Sequence, residues 1–598
     1  MRTKHFFVIL FSVCGASAPG FADTFTVVNL ADSGKGSLRQ AVLDAEANPG
    51  ADTITFADGL SGTIVLTSGQ MSITDDLTIT GPGAELITVD GNEQSRIFSI
   101  NAGTTVSIIG LTLTNGFATG SPADGGAILN SGGNLSLSQV AITGNRTMGS
   151  PGAQGRGGGV ANIDSSGMLN VTDSIFSSNI SVGGFDANGL GGAIENKGQM
   201  VIQRSSFIGN EARGTGGGGN GGRSGAAGAV DNFGATGNNT INGCIFVGNR
   251  AIGADGGIVT GTQSFEFVGG GLGGAIRNLQ STLSVENSMF INNQAIGGNG
   301  GSTAPTARDY DISFGYGGGL FNHGNITVRG DMFLGNTAIG GSNGVALFGR
   351  GHIGDASGGG FLNIEDSITV TTATISDCIF DNNETRGGND NVGGNGLEVG
   401  GAGAFIVGWG QGGAITNEGW NLGLGTNLIA SRLVLTNNRA IGGVANSGNP
   451  LAGAGIGGGI QAWWTGSLAT VSNCWIAVNQ ASGGSGAHGQ GGALAAYFGA
   501  TIQASANLLV GNLAHGGDNA NGDGGNGLGG GVYLDAVSSV GLQTIAVTGN
   551  YANAGSGTTS DGVGIGGGVY SLGSFSVDNP ASIHGNHAST SDDDIYMQ

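Results

Sequence analysis

Glu195, Asp231 and Arg277 stand at one fixed position in three consecutive copies of a phrase that recurs along the chain. If that position points outward from neighbouring parallel strands, two carboxylates and a guanidinium form a row. Acids placed so can trade protons or hold Ca²⁺, and the arginine can act as base or clamp, the equipment of a polysaccharide lyase or glycoside hydrolase. A solvated charge ladder accounts for the row equally well. The next two copies carry Phe321 and Leu362 there, so the row is short. The second set of candidates is aromatic. All 5 Trp lie between positions 409 and 475: Trp409 in a loop, Trp420 and the Trp463-Trp464 pair at the turn after the phrase, and Trp475 beside Cys474. Exposed rings on a polar body stack on sugar faces, so Trp409, Trp420, Trp463 and Trp464, with Tyr310, Phe314 and Tyr316, are the expected glycan contacts. The competing reading is that these rings pack Gly-rich loops onto the body.

Other chemistry is thinly represented. The 7 His show no metal-ligand spacing apart from His584-x-x-His587 near the end of the chain. The run from Gly516 to Asp523 looks like a Ca²⁺-binding nonapeptide, but its Asp register is wrong and nothing repeats it. No metal or cofactor is specified; Ca²⁺ is the one ion the acidic row could use. The Gly strings lack the strand, Lys-Ser/Thr and helix of a phosphate loop.

The elements that must position these residues come from a repeat. Gly-Gly-Ala-Ile-x-Asn occurs at 125–130, 191–196, 273–278 and 412–417, and degenerate copies bring the total to twelve. Some 15 to 20 residues after each copy comes an apolar residue three places before Asn, as in Phe176 to Asn179, Phe207 to Asn210 and Phe290 to Asn293. The second Gly of each pair recurs at spacings from 32 to 54, so constant units are joined by variable loops. Within units the apolar residues alternate, as in Leu169-x-Val171, which is strand periodicity. A short unit that cannot bury its own apolar face must stack on copies of itself, which makes the expected fold an all-β, right-handed parallel β-helix. Rungs ~4.8 Å apart give a rod of roughly 60 to 75 Å. Parity turns the Ile and Asn of the phrase, and the later Phe, inward to form stacks and amide ladders. Cys244, Cys378 and Cys474 each stand five residues before an Asn and belong to the same inward set.

Upstream, residues 23–120 read as a cap with irregular first coils, followed by the regular coils of 121–598. Ser37 and Gln40 form a capping box opening a helix from Leu38 to Ala47, which would cover the open first coil. The Asp592-Asp593-Asp594 run could block the opposite edge. Residues 1–22 carry Arg2, Lys4 and a short apolar run ending in small residues, a secretory signal with cleavage expected near Ala22.

Composition excludes several classes. There are 128 Gly among 598 residues, without the period of collagen, and a hydrophobic content of 38% is too high for a disordered linker. With 19 Lys+Arg against 41 Asp+Glu, a net charge of −22, nucleic acid and anionic membranes are disfavoured as partners. No mature segment reaches the ~18 apolar residues of a membrane span.

The Gly-Gly-Ala-Ile and Phe-x-x-Asn copies resemble the repeats of the polymorphic outer membrane proteins of bacteria. Gly36-Ser37-Leu38-Arg39-Gln40-Ala41 and Asn48-Pro49-Gly50-Ala51-Asp52-Thr53-Ile54 resemble the opening of related β-helix repeat proteins. The resemblance implies a secreted or surface-displayed passenger with adhesion as the usual role. The variable loops leave along one edge of the rod, Gln294 to Tyr316 and Glu384 to Gln411 being the longest, and that edge is the expected surface for binding glycan or a host or envelope surface. Self-anchoring members carry a C-terminal barrel, whereas Asn586 of the last motif lies 12 residues from the end, so free secretion or display by a partner is expected. The alternatives are a polysaccharide lyase or hydrolase and a purely structural rod.

Overall fold

The computed structural model describes residues 22–216, 223–261, 265–365, 370–396, 401–419, 424–578 and 581–598. The signal segment therefore lies outside the described residues, apart from Ala22.

Each coil of the regular region contributes strands at five positions, and the coil that begins at Gly189 is representative. It runs through a return strand Gly189–Leu190, a motif strand Ile194–Asn196, a broad strand Gln199–Gln203, a Phe strand Ser206–Ile208 and an exit strand Glu211–Arg213. Every position pairs in parallel with its counterpart in the next coil, as in Phe207 to Phe246 and Asn196 to Asn232. Motif and broad strands share a 29-stranded sheet; Phe, exit and return strands form sheets of 15, 13 and 12 strands. The chain is a parallel β-helix.

Alternation fills the bore as its parity requires. Phe176, Phe207, Phe246, Phe290, Phe333 and Phe380 are fully buried, and their rings stack with centroids 4.5 to 4.9 Å apart and planes within 12°. The motif Asn form one ladder, with Asn162 Nδ2 donating to Asn196 Oδ1 at 2.7 Å. A second ladder follows the Phe strands. There Asn210 donates to Asn249 Oδ1 from both its backbone N (3.0 Å) and Nδ2 (3.0 Å), and Nδ2 also donates to Phe176 O (3.0 Å). These amides are wholly buried, so the ladder supplies the partners that an interior polar group needs. Cys244, Cys378 and Cys474 are free and buried, and burial pushes their thiols up to about 11, 12 and 11.

Both ends are closed as expected. Helix α1, Leu38–Glu46, begins at Ser37, whose side chain accepts from Gln40 N, and buries Leu38, Ala41, Val42 and Ala45 against the first coils. At the other end Asp594 takes the place of the missing next Asn: its Oδ1 accepts from Asn586 N at 3.1 Å and Nδ2 at 3.0 Å.

The insertions are not free loops. Residues 294–316 and 384–411, the longest of the variable segments between units, contribute strands to an outer parallel sheet made of Phe265–Val268, Asp309–Ile312, Arg350–Ile353 and Gly403–Val407. Successive insertions leave from equivalent points, so they inherit the rung spacing and pair with one another.

Candidate functional site

The return and motif strands meet at a sharp bend. Its hinge has positive φ, as at Gly191 (φ +58), where a Cβ would come within 2.1 Å of Ile194 O. Side chains pointing away from the bore on these two strands converge in the bend. Tyr316 and Leu272 of return strands cluster there with Phe321 and Leu362 of motif strands, and Ile456 and Leu528 with Ala495 and Tyr533. Inserted segments fold over this corner and seal it.

Glu195, Asp231 and Arg277 lie in that corner. They pair in register as the repeat requires, but they are not a solvated row: Glu195 and Asp231 are 0% exposed and Arg277 8%. Arg277 holds Asp231 bidentately, Nε to Oδ1 at 2.8 Å and the second nitrogen to Oδ2 at 2.7 Å. Burial, then the Asp231 charge, pushes the Glu195 carboxyl well above its usual range, so it is a neutral acid beside an ion pair.

The aromatic expectation is corrected in the same way. Trp409, Trp463 and Tyr310 are 0% exposed, as are Phe314 and Tyr316, and Trp464 is half-buried against Phe498, with ring centroids 4.9 Å apart. Trp409 Nε1 donates to Leu451 O at 2.6 Å. These rings glue the inserted layer to the coils, where burying their large surfaces contributes most. Trp420 lies outside the described residues.

A second buried cluster escaped the sequence reading because its members come from separate insertions. Tyr316 Oη donates to one of two carboxylates, Asp311 Oδ2 at 2.9 Å and Asp355 Oδ2 at 2.8 Å, and His352 Nδ1 lies 2.8 Å from Asp311 Oδ1. Burial alone would lower the imidazole, but Asp311 and Asp355 outweigh it and raise it to about 9. Burial raises Asp355 to about 7 against the opposing pull of His352. His352-x-x-Asp355 was the available signal, but nothing local in the sequence places Asp311 beside it.

The open surface lies elsewhere. Trp475 begins the strand Trp475–Ala477 and is 50% exposed, while Ile476 beside it takes the Phe position in the bore. It overhangs a shallow groove of ≈ 570 Å³ lined by Asn473, Ala506, Asn507, Leu508, Thr544 and Ser582. Around the corner, on the broad strands, a neighbouring depression of ≈ 300 Å³ is lined by Thr470, Gln503, Ser505, Ser539, Gln543 and Ser576, with Gly541 on its floor. Ser505 adjoins Ala506 and Gln543 adjoins Thr544, so the two depressions flank the same bend on neighbouring strands. An aromatic face flanked by uncharged hydroxyls and amides can stack on and hydrogen-bond a sugar. Parity alone would have turned Trp475 outward. Among the described residues no group of three His, Cys, Asp or Glu side chains is arranged to hold a metal, and no helix is long and apolar enough to cross a membrane.

No family model matches the chain, and no curated protein matches it. Among solved structures it is similar to the catalytic unit of a thermostable GH87 α-1,3-glucanase from Streptomyces thermodiastaticus, with 12% identity, 97% of this chain and 71% of that one covered, and a TM-score of 0.33. A GH87 α-1,3-glucanase catalytic domain in complex with nigerose gives 10% identity, coverage of 94% and 70%, and a TM-score of 0.31. A PL6 family alginate lyase gives 11% identity, coverage of 94% and 99%, and a TM-score of 0.17. At these values no residue role and no activity is transferred.

Proposed function

We propose that the protein is an exported, adhesin-like β-helix scaffold that binds polysaccharide on a cell or envelope surface. The observation that carries this reading is the Trp475 groove: a half-exposed indole on a rigid strand, bordered by Asn473, Asn507, Thr544 and Ser582 together with Ala506, Leu508 and Ala546, and open to solvent. The titratable clusters, by contrast, are sealed where a polymer cannot reach them.

The test is retention of the full mature chain on a panel of polysaccharides, with and without Ca²⁺, beside a Trp475→Ala variant. The expected result is retention of the native protein and at least a tenfold loss in the variant, with the β-rich circular dichroism unchanged. Equal retention of both proteins would remove the groove from the reading, and no retention at all would leave the structural rod. A second reading, a polysaccharide lyase or glycoside hydrolase, rests on the Glu195 acid beside the Asp231–Arg277 ion pair and requires the corner that buries them to open to substrate. New reducing or unsaturated ends in the same incubations would make it the primary one.

A further inference from the structure

The broad strands present a face whose composition differs from the rest of the surface. From Thr105–Ile109 to Ser574–Val577, thirteen of them stack in register, about 60 Å of rungs at the usual spacing. Their inward residues are mostly aliphatic and buried, and their outward residues are half-buried or exposed. Outward positions carry mainly Ser, Thr, Asn and Gln; the central row runs Ser284, Thr327, Thr374, Ile429, Thr470 and Gln503, with Ile429 a single exposed apolar side chain among polar neighbours. Glu286 and Arg329 are the charged residues of these thirteen strands, and they stand side by side in register, cancelling each other.

We propose that this face binds a neutral polysaccharide lying along the rod axis and continuing into the Trp475 groove; the inference rests on the polysaccharide-binding reading. Hydroxyls and amides both donate and accept, as sugar hydroxyls do, so a repeating polymer finds compatible partners at every rung. The stacking fixes those partners on a rigid sheet, which lowers the ordering cost of binding. A polyanion would need basic residues, and this face has one arginine, already beside a glutamate, on a chain of net charge −22. A protein partner would need an apolar centre to the interface, which a face of Ser, Thr, Asn and Gln does not provide.

Affinity electrophoresis of the mature protein through gels holding a neutral glucan or galactomannan, or an acidic alginate or pectate, tests the proposal. Retardation is expected in the neutral gels and not in the acidic ones. The triple variant Thr374→Glu, Thr470→Glu, Gln503→Glu should weaken retardation at least tenfold with an unchanged melting temperature. The single Gln503→Glu variant carries the same test with a smaller shift if the triple variant unfolds. Equal or stronger retardation by the acidic gels overturns the inference. So does an unaffected charge variant, and if Trp475→Ala then abolishes binding, the groove reading survives without it. No retardation in any gel removes both.

Discussion

The outer sides of the motif strands and of the broad strands belong to one sheet, yet they have opposite fates. Along the motif strands, outward side chains meet those of the return strand in a concave bend, where Glu195 and Asp231 are buried; farther along, inserted strands pack against the bend and His352 of Arg350–Ile353 is buried between them and the coils. Along the broad strands the outward residues Thr327, Gln503 and Ser576 stay in solvent. On these two faces the motif-strand corner keeps Glu195, Asp231 and Arg277 from water, whereas the broad strands turn mainly Ser, Thr, Asn and Gln toward it. The charged cluster of the corner is therefore part of internal assembly, and the open face is the place for a ligand.

Removing a buried partner gives the largest expected effect. Asp231→Ala in a Glu195→Gln background, where the neighbouring carboxyl cannot ionise in its place, leaves the Arg277 guanidinium buried without a counter-charge and should cost about 3–5 kcal/mol in thermal or denaturant melts. A loss within ~0.5 kcal/mol would mean that the corner is hydrated and the contrast between the faces is false.

The His352 cluster predicts a pH dependence of the same region. His352 is raised from 6.5 to about 9, so its stabilisation is complete below pH 6.5 and is lost as pH rises through about 9. Asp355 is raised from 3.8 to about 7, and its protonated form is favoured by folding, so it too loses stabilisation as pH rises, through about 7. The melting temperature should fall between pH 6.5 and 9, and His352→Gln should flatten that fall.

At the far end, Asp594→Ala removes the carboxylate that ends the Asn ladder and should cost about 1.5–3 kcal/mol, read as faster hydrogen exchange confined to the last coil. The smallest effect belongs to the open face: Thr374→Ala should leave stability within ~0.5 kcal/mol of the native protein. A large loss there would show that the broad strands are also covered.

Period-2 alternation and the two Asn-containing motifs were enough to name the β-helix, the bore residues and the ladders, because each depends only on parity within one unit and on stacking of like units. Ser37 with Gln40, and the terminal Asp run, were legible for the same local reason. The site was less so. Parity places Glu195, Asp231 and Arg277 side by side and turns Trp475 outward, but it leaves open whether Trp409, Trp463 and Tyr310 stack on sugar or pack inserted segments onto the coils, and the structure selects the packing.

Strand order, register and the direction each side chain leaves the coil were thus set by the amino-acid sequence, through local periodicity. Whether an outward side chain then meets water was decided only in the tertiary structure. That depends on the positive-φ bend at residues such as Gly191 and on insertions from several coils pairing above it, contacts between residues tens of positions apart that no local pattern encodes.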